Sequence, residues 1–189
     1  MSGSRRGRRH HAAAADWEAA GAAGSVGNHA TETRYSKQLA EMDPYFHDEN
    51  SEDLSYSDLD SFPVFLVERS TEILSLHLDH NLMSVLPAEI GAFVNLISLD
   101  VSNNRMSKLS DDICRLPQLR TLVARNNCLE NDSIPKDFGL MPNLMVLNLS
   151  GNSLTEVPMQ FTELPELKCL YLGANRISSV PREIGNLQR

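Results

Sequence analysis

His77, Asp79 and His80 crowd one short stretch of the chain, and Cys169 stands far downstream. Imidazole and carboxylate groups are donors for zinc-type ions, and a thiol with a lowered pKa is a nucleophile. On a β-strand successive side chains alternate, so His77 and Asp79 share a face while His80 falls at the turn that follows. Three-point coordination by that trio is strained, and solvent-facing polar residues are the simpler reading. Cys169 has no histidine in its neighbourhood to activate it. The chain also lacks G-x-S-x-G, H-E-x-x-H, a phosphate-cradling glycine loop and C-x-x-C. An enzyme is therefore not expected, and neither a metal, a cofactor nor a small-molecule substrate is assigned.

What must position these residues is a phrase that recurs. Ile73, Leu76, Leu78, Asn81 and Met83 spell L-x-x-L-x-L-x-x-N-x-L, and Leu96, Leu99, Val101, Asn104 and Met106 repeat it. Three further copies close on Asn127, Asn152 and Asn175, so the asparagines Asn81, Asn104, Asn127, Asn152 and Asn175 follow at intervals of 23, 23, 25 and 23 positions. This is the signature of leucine-rich repeats. The expected fold is α/β: a solenoid with a curved parallel sheet and a short helical or irregular convex side. A single repeat cannot bury its apolar face alone, so neighbours stack around one continuous core. The asparagines sit where the chain turns off each strand, and an amide can satisfy both a backbone donor and a backbone acceptor there. They read as a structural ladder.

Behind each strand, Leu86-Pro87, Val157-Pro158 and Val180-Pro181 precede apolar residues spaced three apart, which predicts a short helical turn begun by the proline. In the second copy Ser110 replaces the proline, and in the third two extra residues fall within Glu130 to Ser133. Such an insertion maps to a surface loop, read here as a spacer rather than a partner contact.

The chain divides into a basic and Ala/Gly-rich tail (1–30), an acidic lead-in (31–53), a degenerate capping repeat (54–72) and five repeats (73–189), the last incomplete or uncapped. Leu54, Ser57, Leu59, Phe62 and Leu66 fit the second half of the template, whereas Glu49 and Glu52 occupy apolar positions of the first half. One polar side is what a terminal cap requires. The chain ends with no capping sequence after Leu187, from which a fragment of a longer protein is expected.

The four arginines Arg5, Arg6, Arg8 and Arg9 form one isolated basic cluster, while the whole chain carries a net charge of −8. Nucleic acid is therefore not expected as the main ligand. No stretch is long and apolar enough to span a membrane. The three cysteines are odd in number and widely spaced, and no secretory signal precedes them, which places the protein in the cytoplasm, with the nucleus as a second compartment.

What remains is a surface. Outward positions read Ser75, His77, Asp79; Ser98, Asp100, Ser102; Thr121, Val123, Arg125; Val146, Asn148, Ser150; and Cys169, Tyr171, Gly173. The partner-binding candidates on this concave face are His77, Asp79, Asp100, Val123, Arg125, Val146, Asn148 and Tyr171, with Tyr171 and Arg125 as anchors. The expected function is a non-enzymatic adaptor or scaffold for a protein partner. The alternative is a substrate-recruiting or regulatory subunit of a ubiquitin-ligase or phosphatase complex.

The repeats resemble the intracellular leucine-rich repeat proteins that scaffold signalling complexes. A narrower resemblance, to one animal family of that class, rests on Leu99 to Asn104, Leu119 to Asn127, the long spacer ending Ile134-Pro135-Lys136, Val146 to Asn152, and Leu170 to Gly173. That resemblance implies an intracellular protein-binding module that continues into further repeats and a cysteine-containing C-terminal region, and it carries over no catalytic residue.

Overall fold

The computed structural model describes residues 50–187. The tail at 1–30, the lead-in up to residue 49 and the last two residues lie outside the described residues. Six parallel strands pair in chain order: β1 (Ser51–Asp53), β2 (Ser75–His77), β3 (Ser98–Asp100), β4 (Thr121–Val123), β5 (Val146–Asn148) and β6 (Cys169–Tyr171). The sheet is open, and every neighbouring pair keeps an in-phase register, with Leu76, Leu99, Leu122, Leu147 and Leu170 side by side. Those leucines face the core, and the first four are fully buried.

The connections return through single 3-10 turns rather than α-helices. Ala88–Ala92, Lys136–Leu140, Met159–Glu163 and Arg182–Asn186 each follow a proline, whose fixed φ suits the first turn and whose missing N–H costs nothing there. Where Ser110 replaces the proline, its hydroxyl accepts a bond from Asp112 N at 3.3 Å, so a side-chain cap does the work of the ring. Phe62 meets Phe93 edge-on at 5.9 Å, and Phe138 meets Phe161 at 5.7 Å, packing successive repeats behind the sheet.

Each ladder asparagine ties two repeats together. Asn104 Oδ1 accepts from Met83 N of the preceding repeat at 3.0 Å, while its Nδ2 donates to Leu78 O and Val101 O. Asn127, Asn152 and Asn175 reproduce the pattern, and Asn81 does so toward the cap by accepting from Ser57 N and Leu59 N. The residue before each ladder asparagine has a positive φ: His80, Asn103, Asn126, Gly151 and Ala174 lie between 52° and 72°. Gly151 has no Cβ to strain there, and asparagine tolerates the region better than most residues, which accounts for the Asn-Asn and Gly-Asn pairs.

One boundary and the insertion differ from expectation. The first repeat starts at Ser51, inside the stretch read as lead-in, because β1 pairs with β2 through backbone groups that need no apolar side chain. Glu52 stands in register with Leu76 and pairs with the guanidinium of Arg69, so the polar side of this terminal repeat is matched by an ion pair. The insertion after Leu129 is not a bare spacer. It folds into a 3-10 turn, Asn131–Ser133, whose Ser133 Oγ accepts from Glu130 N at 2.8 Å and donates to Ser107 O of the preceding repeat at 2.6 Å. On the other side, Asn131 Nδ2 donates to Glu156 O at 3.0 Å, and its Oδ1 accepts from Thr155 N at 2.9 Å. The two extra residues are bonded to the repeats on both sides.

Candidate functional site

The solvent face of the sheet is laid out in rows by the strand register. One row runs Asp53, His77, Asp100, Val123, Asn148, Tyr171. A second, two residues to its N-terminal side, runs Ser75, Ser98, Thr121, Val146, Cys169. Asp79 and Arg125 stand two residues beyond the first row, on the same face.

The proposed contact residues are not equally accessible. His77, Asp79, Asp100, Val123, Arg125 and Tyr171 are half-buried, with part of each side chain open. Val146 is only 9 % exposed and Asn148 only 4 %, so neither offers the area expected of it. Parallel strands lie under 5 Å apart, about the width of one side chain, and Thr121 and Cys169 cover Val146 from both sides. Asn148 is also engaged, because its Oδ1 accepts from Ser150 N at 3.0 Å. The same Asx turn holds Asp53 through Ser55 N and Asp100 through Ser102 N. The signal for it, D/N-x-S at 53–55, 100–102 and 148–150, is plain in the chain.

Charge divides the face. Its N-terminal end collects Asp53, His77, Asp79 and Asp100, and its C-terminal end carries Arg125 with Val123 and Tyr171. Burial pushes the Asp100 carboxyl above the ordinary carboxylate value. The Ser102 hydroxyl and N–H pull it down, Asp79 adds to the rise, and His77 opposes it.

His80 sits at the turn and is not among the donors grouped with His77. Its Nδ1 lies 2.8 Å from Asp79 Oδ2, and its ring stacks on Tyr56 at 4.1 Å, nearly parallel at 12°. The third group beside His77 and Asp79 is Asp100, from the next repeat, and one donor atom from each lies within 4.8 Å of the others. Sequence distance concealed this neighbour, since only the register of β2 on β3 brings it there.

The thiols differ. Cys128 is exposed and Cys114 half-buried. Burial, with Asp137, Asp111 and Asp112 nearby, pushes the Cys114 thiol up to about 11. At pH 8 only about one such thiol in a thousand is ionised, and the thiolate is the reacting form. Timed alkylation of the native protein followed by peptide mass spectrometry should therefore modify Cys128 well before Cys114. Equal rates would contradict the buried, acid-flanked placement of Cys114.

Two leucine rich repeat family models match the chain, over residues 132–184 and 95–116. The asparagine ladder, the in-phase parallel sheet and these matches agree. The chain folds as a leucine-rich repeat solenoid. Leucine-rich repeat-containing protein 58 of Xenopus tropicalis is 41% identical over 110 residues, covering 57% of this chain and 31% of that protein. The human protein of the same name is 45% identical over 89 residues, covering 44% of this chain and 24% of its own length. The chain thus spans about a third or less of the curated relatives it matches. Among solved structures, the Arabidopsis receptor kinase HAESA in complex with the peptide hormone IDA and the co-receptor SERK1 matches with a TM-score of 0.63 at 34% identity, over 72% of this chain and 24% of that one. A leucine-rich repeat fold of this kind implies protein–protein interaction. Among the described residues, no helix is long and apolar enough to cross a membrane.

Proposed function

We propose that this leucine-rich repeat protein is a non-enzymatic intracellular adaptor that holds a protein partner on the solvent-facing, concave side of its sheet. The observation that carries this reading is the C-terminal half of that face, where Val123 and Tyr171 share a row and Arg125 stands beside them. Interfaces draw their energy from such combinations, an aromatic ring and a guanidinium with apolar neighbours that exclude water. The partner is a protein rather than nucleic acid, because the face mixes both signs of charge and the chain as a whole carries −8. HAESA, with the same architecture, is seen holding a peptide hormone and a co-receptor. Asn148 stands between Val123 and Tyr171 in their row and Val146 in the adjacent row, so in this reading both fill the face between the contact residues.

Affinity capture from cells with wild-type protein and with the double variant Tyr171→Ala/Arg125→Ala, read by quantitative mass spectrometry, tests the assignment. Loss of two hot-spot side chains should weaken the partner's capture by more than about 30-fold, since each such truncation costs about 2 kcal/mol or more. The thermal unfolding midpoint of the double variant is measured alongside to show that the fold persists. Capture of the same proteins in the same amounts by both forms would move the interface elsewhere.

A further inference from the structure

We propose that His77, Asp79 and Asp100 form a binding site for a divalent transition-metal cation of the zinc class at the N-terminal end of the sheet's solvent face. This inference is independent of the partner surface around Tyr171. The donor set is one imidazole nitrogen and two carboxylate oxygens, within 4.8 Å of one another. Zinc binds nitrogen and oxygen donors at about 2.0–2.2 Å in a tetrahedral arrangement, so donors around one ion stand roughly 3.3–3.6 Å apart, and side-chain rotations that draw the three groups together by about 1 Å would complete the site. An imidazole with two carboxylates suits a borderline cation such as Zn2+ better than Ca2+ or Mg2+, which take oxygen donors in larger number or retain their waters.

Each ligand is already held in place by a neighbour. His80 Nδ1 lies 2.8 Å from Asp79 Oδ2, and the Tyr56 stack fixes the His80 ring. Asp100 Oδ1 accepts from Ser102 N at 2.9 Å, and Ser75 Oγ lies 3.1 Å from His77 Nε2. Partners of this kind orient metal ligands and sustain affinity.

Ser102, only 1 % exposed, walls the site on the Asp100 side, its N–H donating to Asp100 Oδ1. His80, at the turn and 2.8 Å from Asp79 Oδ2, supports the site and does not ligate, and Asp100 from the following repeat is the third donor.

The full 189-residue chain, stripped with a chelator, is titrated with ZnCl2 alone in a calorimeter. The same titration is run on His77→Asn, Asp100→Asn and the tail variant His10→Ala/His11→Ala, each checked for fold by circular dichroism. One saturable site per chain is expected, retained in the tail variant and weakened at least about 10-fold in both ligand variants. The cobalt-loaded protein should show no thiolate charge-transfer band. No saturable binding, binding lost with the tail histidines, binding unchanged by both ligand variants, or a thiolate band that places the ion on cysteine would each overturn the proposal.

Discussion

Asn127→Ala should lower the unfolding free energy by about 3 kcal/mol or more. The side chain is 9 % exposed, and its Oδ1 accepts from Met106 N at 2.9 Å. Its Nδ2 donates to Val101 O at 3.0 Å and to Ala124 O at 3.1 Å. Alanine leaves a backbone donor and two acceptors without these partners, at about 1–3 kcal/mol for each buried group that finds no substitute. These bonds join one repeat to the next, so their loss acts on stacking rather than on a single loop. Asn143→Ala is the comparison, because Asn143 makes one bond near solvent, to Pro117 O at 2.8 Å, and its removal should cost about 1 kcal/mol or less. Urea unfolding of both variants measures the difference. Near-equal midpoints would show that the ladder amides do not govern stacking.

Phe138→Ala should cost about 3–5 kcal/mol. Phe138 is fully buried and meets Phe161 of the next repeat at 5.7 Å and 63°. Because each repeat packs only on its neighbours, the cavity should loosen the repeats on either side first. Hydrogen exchange should therefore quicken in β4, β5 and β6 before it does in β1 and β2. Phe65→Ala is the contrast, since Phe65 is 64 % exposed and little packing is lost with it. A uniform rise in exchange along the whole sheet would instead indicate a single cooperative unit.

Much of this protein is legible in its residues because a repeat encodes itself locally. The apolar positions of one strand and turn lie within about 20 residues, and five copies make the period unmistakable. From that alone follow the parallel sheet, the inward leucines, the 3-10 turns behind Pro87, Pro158 and Pro181, and the placement of the ladder asparagines at the turns. Relations between repeats were not legible in the same way. That Glu52 lies beside Leu76, that Ser98 and Thr121 are nearly covered, and that Ser133 reaches Ser107 depend on strand register and on side chains filling a spacing of under 5 Å. The meeting of His77 and Asp79 with Asp100 belongs to this second kind. A linear pattern specifies which face a side chain takes, whereas its neighbour on that face comes from the next turn of the solenoid, 23 residues away for His77 and Asp100, and is selected by backbone pairing that carries no side-chain signal.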